Sequence, residues 1–214
     1  MKTKIITIAH QKGGVGKSTI AINLAVELNK KFDVTIIDLD YQKSISIFNE
    51  TRKNNNLNSL NIKYINNKQE LINIFKTTKG IILIDSGGFD SDLNRIALAA
   101  SDFIITPLSD SLIEIYGLEV FKNILKDLKN INHNIKAHIL LNNVNPQAKK
   151  TINELKEYIQ KNNENFELLN TIIRRRVAFA KSFETGKSVV ELDKKSKAAQ
   201  EINQLINEII NHIL

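Results

Sequence analysis

Residues 10–19 (HQKGGVGKST) limit what this chain can fold into more than any other stretch. They lie between an apolar run over residues 4–9 and a helical pattern that starts at Ile20, so the local order is strand, glycine-rich turn, helix. Gly13, Gly14 and Gly16 let backbone N–H groups point inward with no Cβ in the way, and the helix that follows adds the positive end of its dipole. Such a turn cradles phosphate oxygens. Gln11, Lys12, Gly13, Gly14, Val15, Gly16, Lys17, Ser18 and Thr19 are the expected nucleotide contacts, with Lys17 reaching the β and γ phosphates and the Ser18 hydroxyl holding Mg²⁺.

The usual phosphate-loop pattern has a glycine where Gln11 stands, and here a second lysine, Lys12, precedes the paired glycines. This deviant Walker A loop resembles that of the ParA/MinD family of P-loop ATPases. The resemblance implies that Lys12 reaches across a dimer to the partner's nucleotide, and that Lys12 acts in catalysis beside Lys17.

Downstream segments fit a phosphate-binding α/β chain. An apolar run over residues 34–37 ends in Asp38-Leu39-Asp40-Tyr41-Gln42, placing two carboxylates at the carboxyl edge of a parallel strand, where open α/β sheets bind ligands. Similarity to the family's Asp-x-Asp-Pro-Gln segment implies that Asp40 positions the attacking water near Mg²⁺ and that Asp38 supports the metal shell, although Tyr41 replaces the proline. Residues 80–86 (GIILIDS) have the form of a buried parallel strand with an acid at its tip. Asp85 is the expected Mg²⁺ ligand, so Ser18, Asp40 and Asp85 form the expected metal set. Gly87 and Gly88 offer an unhindered backbone to the γ phosphate, a contact that hydrolysis would release. Further strands are expected over 102–107, 137–141 and 167–173, and helices over 91–100, 112–128, 151–160 and 196–214. Residues 49–67 are polar and Asn-rich, with a weak edge strand over 61–65 and then a helix over 69–76. In the family an Asn at the end of the 137–141 strand bonds the base; Asn142 occupies that place. A carboxamide that donates and accepts suits adenine, and the guanine-selective Asn-Lys-x-Asp pattern is absent.

At 214 residues and 42% hydrophobic content, the chain suits one α/β core, and a single domain over 1–214 is expected. The absence of cysteine removes disulfides and thiolate or iron–sulfur ligation, and with them the cluster-carrying reductases that share this loop. The four histidines include no pair at i, i+4 spacing, so no protein-built metal site is expected, and they are read as ordinary surface or core residues. No apolar run approaches the roughly 20 residues needed to span a bilayer, and the first strand leaves no room for a signal peptide or an N-terminal helix-turn-helix; a cytoplasmic protein is expected.

The formal charge of +7 is unevenly distributed. Residues 174–197 hold eight basic groups against three acidic ones, the concentration that phosphate-backbone binding requires. The segment is similar to the family's C-terminal signature, and Arg174, Arg175, Arg176, Lys194, Lys195 and Lys197 are the implied contacts to non-specific double-stranded DNA. The last helix has Ile202, Leu205, Ile206, Ile209, Ile210 and Ile213 on one side, with Glu201, Asn203, Gln204, Asn207, Glu208 and Asn211 as its expected polar face. That acidic face suits core closure, not anionic lipid.

Together these features predict a doubly wound, mostly parallel sheet flanked by helices. The resemblance implies a ParA-like partition or positioning ATPase: an ATP-dependent homodimer, with Mg²⁺, that binds DNA, associates with the nucleoid and answers to a ParB-like adaptor that speeds slow turnover. A MinD-like membrane-associated regulator and an ATP-dependent ligase or kinase are the rival readings.

Overall fold

Long apolar runs bounded by acids, glycines or asparagines become the strands of one twisted sheet. The computed structural model describes residues 2–145 and 147–214. Among the described residues seven strands form: β1 (Lys4–Ile8), β2 (Val34–Asp38), β3 (Asn61–Lys63), β4 (Ile81–Asp85), β5 (Phe103–Leu108), β6 (Ala137–Val144) and β7 (Phe166–Arg174). Their spatial order is β3-β2-β4-β1-β5-β6-β7, and every pairing is parallel. Parallel strands need crossovers, and helices supply them: α1 (Lys17–Leu28), α2 (Ser44–Asn54), α3 (Lys68–Thr77), α4 (Asp92–Ala100), α5 (Ile113–Leu128) and α6 (Lys149–Lys161). The chain ends in α7 (Val177–Thr185), α8 (Val189–Leu192) and α9 (Lys197–Ile213).

β2, β4 and β5 are buried at every position because helices cover both faces of the sheet. Alternate strand residues go to opposite layers. Ile6, Ile8, Ile36 and Leu83 pack with α1, α2 and α9, whereas Ile5, Ile37, Ile82 and Ile84 pack with α3 and α4. Ala137, Ile139 and Leu141 of β6 pack with α5 and α6.

β1 lies between β4 and β5, so the crossovers on its two sides diverge and open a crevice at the strands' carboxyl ends. Register aligns Ile8 with Asp85 and Asp38 with Asp85. The phosphate loop and both acidic strand tips thus meet at one edge.

Several local expectations need correction. α1 begins at Lys17, three residues before its apolar pattern, because the phosphate loop turns directly into helix at Gly16. β6 does not stop at Leu141 but carries Asn142 and Asn143 within it to Val144. The start of the polar stretch, through Asn54, is helical, since α2 buries Ile45, Phe48, Asn49 and Arg52. Helices α7 and α8 were not expected at all.

The last helix closes the core, as its apolar stripe requires, but its polar side is not simply solvated. Glu201 is buried and pairs with Arg174 at 3.1 Å and Arg176 at 2.6 Å. Glu208 accepts hydrogen bonds from the backbone N–H groups of Asn170 and Thr171. These carboxylates bind the helix to the edge strand β7.

Candidate functional site

The loop between β1 and α1 folds as its glycines dictate. Gly14 and Gly16 have φ of 79° and 94°, the left-handed region that a side chain resists. A Cβ on Gly16 would also collide with the Asn142 carboxamide, whose Nδ2 donates to the Val15 carbonyl at 2.7 Å. Asn142 therefore holds the loop against β6. This contact was not anticipated, and it commits one amide hydrogen of the proposed base reader to the loop itself.

A crevice of about 480 Å³ is lined by Gly13, Gly14, Gly16, Lys17, Ser18, Thr19, Asp40, Tyr41, Gln42, Gly88 and Phe89. The structure thus brings together the expected phosphate loop, the second acid of the β2 tip and one switch glycine. Lys17 is buried, and its Nζ donates to the Lys12 carbonyl at 3.2 Å. Burial lowers its pKa below the ordinary lysine value, against the opposing pull of Asp85 and Asp40. Gly88 lies against the loop: a Cβ there would sit 3.4 Å from the Gly13 nitrogen and 3.6 Å from Lys17 Nζ. Beside Thr19 a smaller hollow of about 170 Å³ is lined by Asn142, Asn143, Arg174, Arg176 and Phe179 among others.

Asp85 is buried at the β4 tip, and both its oxygens lack a hydrogen-bond partner. Burial raises its pKa to about 7, Ser18 and Lys17 drawing it down and Asp38 and Asp40 pushing it further up. Asp38 is buried too, with Oδ2 unpartnered and its pKa raised, again chiefly by burial. Three buried oxygens on these adjacent strand tips, both of Asp85 and Oδ2 of Asp38, have no donor and need a cation or a proton. This donor set of carboxylate and hydroxyl oxygens fits Mg²⁺, a hard ion that takes few protein ligands and keeps several waters. Asp40 is half-buried at the crevice; its Oδ1 accepts from the Gln42 N–H at 2.9 Å, closing the turn that Tyr41 enters in place of proline.

Lys12 differs from Lys17. Its side chain is 46% exposed, and its ammonium donates to Glu114 Oε1 at 3.1 Å, whereas Glu114 itself is 1% exposed. Ser109 Oγ donates to the same oxygen at 2.6 Å. His10 accepts the Lys12 N–H on Nδ1 at 2.9 Å and turns Nε2 toward Glu114 at 3.7 Å. Burial drives the His10 pKa down to about 4 despite Glu114, so the imidazole is neutral at physiological pH. The sequence reading missed this cluster. Its one local signal was an acid in the otherwise apolar first turn of α5 (Ile113-Glu114-Ile115).

The basic segment divides in two. Arg174 and Arg176 share Glu201, and Arg175 reaches Asn143 Oδ1 at 3.2 Å. Arg174, Arg175, Lys194, Lys195 and Lys197 are exposed and Arg176 is half-buried.

A parallel doubly wound sheet with a phosphate loop after its first strand defines the P-loop nucleotide-binding class. Residues 6–189 match the CobQ/CobB/MinD/ParA nucleotide binding domain. The chain belongs to that family, whose ParA and MinD members are P-loop ATPases. It is 24% identical over 213 residues to "Maintenance of carboxysome distribution protein A" of Halothiobacillus neapolitanus, covering 98% of this chain and 97% of that one. The fold is similar to that of a putative plasmid partition protein from Borrelia burgdorferi B31 bound to AMPPNP, with TM-score 0.76, 23% identity, and 99% and 100% of the two chains covered. It is also similar to a chain of the MinC:MinD cell division protein complex of Aquifex aeolicus, at TM-score 0.71 and 14% identity over 97% and 96% of the chains. No helix among the described residues is long and apolar enough to cross a membrane.

Proposed function

We propose that the chain is a ParA-like partition or positioning ATPase. ATP brings two copies together, the pair binds double-stranded DNA without sequence preference, and hydrolysis separates the copies and frees the DNA. The single observation that carries this reading is the unequal placement of the two loop lysines. Lys17 is buried in its own loop, whereas Lys12 stands half exposed at the rim, tethered by Glu114 and able to turn toward a partner's phosphates. Light scattering with a non-hydrolysable ATP analogue tests it: a dimer that retains duplex DNA is expected, and a persistent monomer that ignores DNA would overturn the reading.

Within that scheme the loop N–H groups and Lys17 hold the phosphates, while Ser18, Asp40 and Asp85 hold Mg²⁺, Asp38 supporting them. Mg²⁺ supplies charge neutralisation at the transferred phosphate. Asp40 orients the attacking water and takes up its proton, and Gly87-Gly88 senses the γ phosphate. Asn142, with its second amide hydrogen and its oxygen, contacts adenine. Asp40→Ala should lower turnover by about 100-fold while the ATP-bound, DNA-associated form persists. Unchanged hydrolysis would remove Asp40 from the site.

DNA would lie on the basic surface of Arg174, Arg175, Arg176, Lys194, Lys195 and Lys197. Testing it by reversing all three arginines would bring new carboxylates against buried Glu201, so the informative variant is Arg175→Glu/Lys194→Glu/Lys195→Glu, whose side chains are exposed. Retention on duplex DNA at low salt should fall at least about tenfold. Unaltered retention would remove this surface. The proposal places the protein in the cytoplasm, on the nucleoid when ATP-bound, with a ParB-like adaptor as the stimulating partner. The MinD-like reading lacks support from α9, whose apolar side is buried in the core and whose Glu201 and Glu208 hold β7.

A further inference from the structure

The histidines read from the sequence as ordinary residues converge, two of them, far from the nucleotide crevice. His138 on β6 and Glu167 on β7 are register partners at the beginnings of adjacent parallel strands, so both side chains leave the same face of the sheet. α9 covers that face, and its last turn brings His212 to them. The ligand atoms of His138, Glu167 and His212 all lie within 4.8 Å of one another. We propose that these three side chains form a binding site for a divalent transition metal of the zinc type, joining β6, β7 and α9 at the end of the sheet opposite the phosphates.

Three features make this a built site rather than a chance meeting. First, His138 is oriented: Nδ1 donates to the Ile104 carbonyl at 3.2 Å, which fixes the tautomer and leaves Nε2 with its lone pair for a metal. Second, Phe103 steadies both rings. It stacks on His138 with centroids 3.8 Å apart and planes at 16°, and lies 5.2 Å from His212. Third, the donors are two imidazoles and a carboxylate, a set that suits Zn²⁺ and leaves a fourth position for water. A tetrahedral ion with bonds of about 2.0–2.1 Å wants its ligand atoms about 3.3 Å apart. Glu167 and His212 are exposed and can close that gap by side-chain rotation. The competing group is the Lys136 ammonium, 3.9 Å from Glu167 Oε2 and itself partly exposed, a long pair that a metal would displace.

The test is calorimetric titration of the chelator-stripped full chain with Zn²⁺ in excess Mg²⁺, added to compete for the oxygen-lined nucleotide site. One Zn²⁺ per chain is expected, with affinity at least tenfold lower in His212→Ala and in Glu167→Gln, both surface changes that leave the fold intact. His133→Ala should bind as the unaltered chain does. Zn²⁺ should also raise the melting temperature of the unaltered chain and not that of His212→Ala. No stoichiometric uptake, or equal uptake by His212→Ala and Glu167→Gln, would overturn the proposal. So would a loss of affinity in His133→Ala. Cobalt(II) should give visible d–d bands of tetrahedral intensity that vanish in His212→Ala; bands that persist would count against it.

Discussion

Lys12→Ala should bind ATP within a few-fold of the unaltered chain yet stay a single copy in its presence. The Lys12 ammonium contributes no contact to the buried end of its own loop, where Lys17 is the lysine in place. Its only hydrogen-bond partner among the described residues is Glu114. Removing it therefore spares the cradle and deletes the cation that the proposed dimer shares. An ATP-dependent dimer of Lys12→Ala by light scattering would defeat the shared-site mechanism. Glu114→Gln supplies the opposite perturbation. It leaves the glutamine oxygen for Ser109 but weakens the charge that retains Lys12, so the ATP concentration needed for dimerisation should fall by several-fold.

Arg52→Ala should destabilise the fold strongly although the residue lies outside the nucleotide crevice. Its side chain is 4% exposed, and the guanidinium donates to the Asn58 and Gly186 carbonyls as well as to both oxygens of Glu191. This one side chain thus links α2 to the turn between α7 and α8, where Ser188 and Glu191 form a capping box. Breaking a buried pair from one side costs about 3–5 kcal/mol, and Glu191 retains some access to water, which places the loss near the lower end, about 3 kcal/mol. For a domain of this size that is about 10 °C in melting temperature. Burial alone would raise the Glu191 pKa, but the bond from Arg52, the Ser188 N–H and the charges of Arg52 and Lys30 together outweigh it and hold the carboxyl below its ordinary value. Its stabilisation is present above the unfolded pKa and is lost as pH falls through the depressed folded one. Melting curves of Arg52→Ala should accordingly lose part of their acid dependence. A shift under about 2 °C at neutral pH would contradict this account.

The sequence made the phosphate loop, the acids at the β2 and β4 tips and the buried strands legible because each is a local signal: a spacing of glycines, an unbroken apolar run, an acid at its end. The weak edge strand near Asn61 was legible for the same reason. Contacts between distant segments were not. Nothing near Lys12 announces Glu114, and Glu201 read as one polar residue on an amphipathic helix although two arginines from the β7 end converge on it. α2 was hidden by its polar composition, since only Ile45, Phe48, Asn49 and Arg52 of its SISIFNETRKN sequence are buried. His138, Glu167 and His212 have no common spacing; only strand register and the final turn of α9 unite them.

Glu201 has a consequence for how this molecule carries its positive charge. A counterion built into α9 already offsets one of the arginines at the end of β7, so the formal excess in this segment overstates the field it projects into solution. The same carboxylate fixes where Arg174 and Arg176 can point. The helix is a stiff rod of about 1.5 Å per residue, so any slide or tilt of α9 against β7 re-aims both guanidinium groups together, and the electrostatic face of the protein moves with its last helix.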